Sequence, residues 1–92
     1  MIVRISGEGQ WELADSESER LNELERAVIE AVDAGSEADY APAFAALLDH
    51  VKEAGVPVPE DELEGSDVIL PPSDTTLEEA AGDFTGEGLI PD

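Results

Sequence analysis

The stretch Arg4 to Leu13, RISGEGQWEL, is the first place where the chain could do chemistry. An apolar run entering Gly7-Glu8-Gly9 resembles the start of a phosphate-cradling loop, since glycines let backbone N–H groups approach an anion. A dinucleotide fingerprint then requires a third glycine and a helix. Glu12 stands at that position, and the residues around it alternate like a strand. The Gly-Lys-Ser/Thr of a Walker A loop is missing as well, so the glycines read as a hairpin tip. Glu60, Glu62, Glu64 and Gly65 are spaced like the beginning of a calcium loop, but the acid required at the twelfth position is replaced by Pro71. His50 is the sole histidine and cysteine is absent, which makes a poor transition-metal set and excludes thiolate and disulfide chemistry. No serine has the Gly-x-Ser-x-Gly context of a nucleophile. Carboxylate pairs are abundant, yet catalytic ones are marked by burial and a raised pKa, which a solvated acidic face does not supply. The sequence assigns no catalytic, cofactor-binding or metal-ligating residue.

The elements that would position any site are legible from periodicity. Val3, Ile5, Trp11 and Leu13 alternate with Arg4, Ser6, Gln10 and Glu12. A three-residue loop Gly7-Glu8-Gly9 would place Ile5 opposite Trp11, Val3 opposite Leu13 and Arg4 opposite Glu12, with Gly9 left-handed. Asp15 to Ala34 is expected as a helix with Asp15, Ser16 or Ser18 as N-cap, a stripe of Leu21, Leu24, Val28 and Val32, and Gly35 as its stop. Ser36 to Asp39 has capping-box character, and Pro42 is expected in the first turn of the next helix. That helix carries Phe44, Leu47, Leu48 and Val51 and ends at Gly55, which makes an antiparallel pair with the first. Val56 to Gly65 reads as a proline-stiffened acidic loop and Val68 to Leu70 as a third strand. Thr75 or Thr76 would cap a short helix bearing Leu77, Ala80, Ala81 and Phe84. Leu89 and Ile90 would be tucked against the body or paired as a short strand. The expected class is α+β: an N-terminal β-hairpin, an antiparallel helix pair, a third strand and a short C-terminal helix around one small core, with residues 1–92 as a single domain.

Charge is the extreme feature. The 92 residues hold 24 acids against four bases, a formal charge of −20. Such a surface repels phosphate backbones and anionic headgroups, which are bound through Lys and Arg. The longest apolar runs are far short of the roughly 18–20 residues that span a bilayer, and no basic-then-apolar leader opens the chain. A cytoplasmic protein is expected, and acid excess with a single lysine is the composition that a halophilic source would select.

Several segments together carry a family resemblance: MIVRISGEGQW at Met1 to Trp11, VPVPEDEL at Val56 to Leu63, SDVILP at Ser66 to Pro71, TLEEA at Thr76 to Ala80, and EGLIPD at Glu87 to Asp92. In these the chain resembles the PspA-associated protein family, PspAA, small partners of the phage-shock protein A coiled coil. Pro42 and the high acid content depart from that family's pattern. The resemblance implies a non-enzymatic component of the envelope (phage-shock) stress response, without a cofactor, that binds PspA and modulates its membrane-protective assembly. Together with the charge, which argues against nucleic acid and membrane insertion, it implies recruitment to the inner face of the cell membrane only through the partner. Candidate partner-binding residues are the hairpin tip, Gly7, Glu8, Gly9 and Gln10, and the terminal Leu89, Ile90 and Pro91. The competing expectation from charge alone is an acidic DNA mimic or anti-repressor that binds a basic partner.

Self-repulsion at −20 opposes folding and is screened by salt, the Debye length falling from about 10 Å at 0.1 M to about 3 Å at 1 M. The midpoint of thermal unfolding should therefore rise steadily from about 0.1 M to about 1 M KCl, as followed by circular dichroism. A midpoint that stays level or falls would remove charge repulsion as the dominant stress on this fold.

Overall fold

Alternation over the first dozen residues produces strands β1 (Ile2–Ile5) and β2 (Gly9–Glu12) of an antiparallel hairpin. The computed structural model describes residues 1–59 and 65–83. In these, β3 (Val56–Val58) pairs antiparallel with β2 and β4 (Val68–Leu70) pairs parallel with β1, which gives the order β3-β2-β1-β4. Helices α1 (Ser18–Ala34) and α2 (Glu37–Ala54) pack against one face of this sheet, and the short α3 (Leu77–Asp83) contacts both of them. The α+β architecture is the expected one, with one strand more.

The hairpin register differs from expectation by two residues. Val3 faces Trp11, Arg4 faces Gln10 and Ile5 faces Gly9. The cause is the turn: it tightens over Ile5–Glu8, closed by the Glu8 N–H donating to the Ile5 carbonyl at 2.9 Å. Gly7, at its third position, takes φ 79°, the left-handed value that glycine adopts without strain. Gly9 becomes the first residue of β2. Because side chains alternate with period two, a two-residue slip leaves every face unchanged, so Val3, Ile5 and Leu13 still enter the core. Only the partners change, and Arg4 loses the expected position opposite Glu12.

Val56–Val58 is a strand rather than a loop. Pro57 cannot donate to a ladder, which is why β3 lies at a sheet edge, where one side of the strand needs no partner. At the opposite edge, β4 is held by more than its pairing. The Asp67 N–H donates to the Ile2 carbonyl at 2.9 Å, and the Ile2 N–H donates back to the Asp67 Oδ2 at 2.8 Å.

A 3-10 turn at Asp15–Glu17 leads into α1, and neither cap position makes a side-chain cap bond, so none of the three candidate caps acts as one. The other end is well closed. Gly35 is left-handed at φ 65°, its N–H donates to Val32 O, and the Ser36 N–H donates to Ala31 O, which satisfies the last carbonyls in a Schellman arrangement. Ser36 then serves α2, its Oγ accepting from the Asp39 N–H at 3.3 Å. That cap starts the helix at Glu37, so Pro42 is its sixth residue and lies beyond the first turn. The bond it forfeits is to the Ala38 carbonyl. Both residues are exposed, so water can take that carbonyl. Thr76, not Thr75, caps α3 by a reciprocal box: Thr76 Oγ1 accepts from the Glu79 N–H, and Glu79 Oε1 accepts from the Thr76 N–H. Of the stripe expected there, Ala80 is buried and Ala81 is exposed, while Phe84 lies outside the described residues.

The core is one aliphatic layer. Val3, Ile5, Leu13, Val68 and Leu70 from the sheet side meet Leu21, Val28, Leu47 and Val51 from the helices. Tyr40 and Phe44 stack with centroids 5.5 Å apart, and the Tyr40 hydroxyl donates to the Thr75 carbonyl at 2.8 Å. Leu24 and Val32 are only partly buried. Glu25, on the same face as Leu21 and Val28, is buried in their place.

Gly55 ends α2 in an extended conformation, so its role is space rather than a positive φ. A β-carbon there would lie 2.6 Å from the Val51 carbonyl oxygen and 2.8 Å from the Trp11 Cβ. Gly55→Ala should cost about 1–3 kcal/mol of stability through overpacking. Gly82→Ala, on an exposed helical site with open space around it, should be neutral or slightly stabilising. Denaturant midpoints of the two variants check this, and equal effects would contradict the close approach at Gly55.

Candidate functional site

Glu8, at the tip of the hairpin, is engaged within the fold. Its Oε1 accepts from Lys52 Nζ at 2.7 Å, and its Oε2 accepts from the Ser73 N–H at 3.1 Å. One carboxylate thus ties three segments: the β1–β2 turn, the last turns of α2, and the segment between β4 and α3. The hydrogen bond from Lys52, with help from Ser73, holds the Glu8 carboxyl below its ordinary range despite some desolvation. Gln10 is half-buried, and its Nε2 donates to Ser66 Oγ at 2.7 Å. Gly7 and Gly9 are exposed. Leu89, Ile90 and Pro91 lie outside the described residues.

His50 finds its acid across the fold. Its Nε2 lies 2.8 Å from Glu17 Oε2, a bond between α2 and the 3-10 turn. Both side chains are partly buried, and the contact pins the entry to α1 against the end of α2. It is a structural pairing: among the described residues no group of three or more His, Cys, Asp or Glu could hold a metal ion.

Glu25 is the residue the sequence reading missed. It is 2 % exposed, the one acid among the described residues that is fully buried. Among the described residues no buried side-chain nitrogen or oxygen lacks a hydrogen-bond partner. The available signal was spacing, since positions 21, 25 and 28 fall at i, i+4 and i+7, on the very stripe that faces the core. One buried carboxylate is not the pair that acid–base hydrolysis requires.

Concave space occurs along one edge of α2. Tyr40, Phe44 and Leu48 form the floor of a groove, at i, i+4 and i+8, and the parallel row Ala41, Ala45 and Asp49 forms its lip. Ser73 and Thr75 close the other side, and Lys52 stands at one end. The cavity measures about 220 Å³. At about 1.5 Å per residue it runs about 12 Å along the helix. Two of its polar groups are already engaged within the fold. Lys52 is occupied by Glu8, and the Tyr40 hydroxyl by Thr75.

Among the described residues the chain is an aliphatic α+β fold with an internally tied hairpin tip and an apolar groove along α2, and none of these features assembles a catalytic set. The model of the family described as PspA-Associated protein, PspAA, matches residues 1–92, and the chain belongs to that family. Comparison with curated proteins and with solved structures gave no match. The family's name denotes association with PspA, in the phage-shock response. No helix among the described residues is long and apolar enough to cross a membrane.

Removing the Glu8 charge tests the clamp. Glu8→Gln should lower stability at pH 7 by about 0.5–1.5 kcal/mol, the range for a charged hydrogen bond near a surface. Since the folded-state pKa lies below the ordinary 4.5, the contribution is fully present above that value and is lost as pH falls through the lower one. Unfolding curves of variant and wild type should therefore differ at neutral pH and converge in acid. A gap that persists unchanged into strong acid would show that Glu8 contributes other than as a carboxylate.

Proposed function

We propose that this protein is a non-enzymatic component of the envelope stress response that binds PspA and modulates its membrane-protective assembly. The observation that carries the reading is the family match along the whole chain. The chemistry of the surface supports the same division of labour. A chain of charge −20 is repelled by anionic headgroups, so membrane proximity comes through the partner, from the cytoplasmic side. The acid excess suits a salty cytoplasm, where apolar contacts persist while long-range charge attraction is screened.

The partner-binding residues proposed from sequence now divide. Glu8 serves the fold first, and Gln10 is bonded to Ser66, so the hairpin tip offers mainly its exposed glycines. The terminal Leu89, Ile90 and Pro91 remain proposed contacts.

Co-sedimentation with PspA and anionic vesicles in about 1 M KCl tests the reading. The protein should pellet only when PspA is present, and it should change the size distribution of PspA assemblies. Pelleting with vesicles alone, or no association with PspA at any salt concentration, would overturn it. Binding that is tight at low salt and collapses steeply on salt addition would favour the acidic-mimic alternative.

A further inference from the structure

We infer that the groove along α2 is the docking site for an amphipathic helix of the partner, one that inserts apolar side chains over Phe44 and Leu48 and sets a Lys or Arg against Asp49. This inference rests on the PspA-binding reading above and names the surface that would serve it. Three features of the groove select the occupant.

The first is size and chemistry. At about 220 Å³ the cavity is below the roughly 300–1,000 Å³ of small-molecule sites, and its Lys52 and Tyr40 polar groups are already bonded to Glu8 and Thr75. It fits side chains delivered from outside, not a ligand held whole. The second is shape. The groove follows a helix for about 12 Å and is bordered by side-chain rows at i, i+4 and i+8, which is the relief into which a second helix lays its own ridges. Ala41 and Ala45 on the lip keep the approach close. No strand edge borders it, so it is not built for an added β-strand.

The third is charge. Lys52, the one base on the rim, is neutralised by Glu8 at 2.7 Å. Asp49 is exposed and makes no ion pair within the described residues, and Glu53 lies one helical turn further along the same exposed side. An apolar trough ending in unpaired carboxylates is complementary to an apolar stripe followed by a cation. A second copy of this chain is a poor occupant, because it would bring its own Asp49 and Glu53 and a further charge of −20 to the interface.

The test measures PspA affinity in about 1 M KCl for wild type, Ala45→Arg, Asp49→Lys and Glu30→Lys. All three positions are exposed, and circular dichroism verifies that each variant is folded. Glu30→Lys, on α1, makes the same charge change as Asp49→Lys away from the groove. Ala45→Arg should weaken binding at least tenfold and Asp49→Lys about fivefold, with Glu30→Lys within twofold of wild type. If wild type binds PspA and Ala45→Arg and Asp49→Lys bind as wild type does, the groove is not the site while the PspA reading survives. If Glu30→Lys weakens binding as much as Asp49→Lys, overall charge and not the groove governs docking. If Ala45→Arg does not fold, Asp49→Lys against Glu30→Lys decides. Absence of PspA binding by the wild type itself overturns both readings.

Discussion

The burial of one aliphatic face of the sheet against two helices is the constraint on which everything else depends. A charge of −20 spread over 92 residues pushes the chain apart, and there is no disulfide to oppose it. Cohesion comes from Val3, Ile5, Val68 and Leu70 on the sheet and Leu21, Val28, Leu47 and Val51 on the helices, all at or near complete burial. A chain this short removes only about 60–68 % of its unfolded surface from water, so each of those contacts is a large share of the whole. It also explains the aliphatic character of the core. Strands of three or four residues leave room for Val, Ile and Leu beneath the helices, and the aromatics Tyr40 and Phe44 lie toward the α3 side.

Packing alone does not set the order of segments that are distant in sequence, and polar contacts do that. Asp67 exchanges two hydrogen bonds with the backbone of Ile2, which registers β4 on β1 across 65 residues. Glu8 bridges Lys52 and Ser73, and Tyr40 reaches the Thr75 carbonyl, so the segment between β4 and α3 is held at both ends. His50 and Glu17 join the entry of α1 to the end of α2. Most of these bonds link a loop to an element already fixed by the core, and the Glu8–Ser73 bond joins two loops to each other. In a protein with four bases, two of them, Lys52 and Arg20, are in ion pairs within the described residues, and Lys52 serves architecture.

What was legible follows from this division. The helices, their stops and the faces of the hairpin come from periodicity and from Gly35 and Ser36, which act locally. The hairpin register was not legible, because Gly7 and Gly9 can both take positive φ, and the choice was settled by the turn that closes at Glu8. β3 was hidden by Pro57, which usually argues against a strand and is tolerated only because Val56–Val58 lies at an edge. Pro42 was misplaced because a proline signals a helix start more often than an interior turn, whereas the Ser36 cap sets the start five residues earlier. Glu25 was overlooked because acids are so common here that one on the core stripe did not stand out. The residues of the candidate site divide in the same way. The spacing of Phe44 and Leu48 is local and was readable, while the engagement of Glu8 by Lys52 and the closure of the groove by Ser73 are tertiary and were not.

The same contrast bears on how such a surface can be selective. An exterior that is acidic nearly everywhere attracts any cation at low salt and so discriminates poorly by charge. In concentrated salt that attraction shortens to a few ångströms, and only charges brought into contact by shape still register. An uncharged trough edged by Asp49 meets this condition, because apolar contact there would bring a partner's cation within range of one particular carboxylate. Selectivity on an acidic surface is then assigned to the few places where the acid gives way to apolar side chains. Among the described residues those places include the α2 groove and the exposed Val56 and Ile69 at the two sheet edges. The edges present single side chains on three-residue strands. The groove presents one apolar row, Tyr40, Phe44 and Leu48, over about 12 Å beside Ala41 and Ala45, with Asp49 at the end of that second row, a relief that would distinguish a partner helix by spacing as well as by charge.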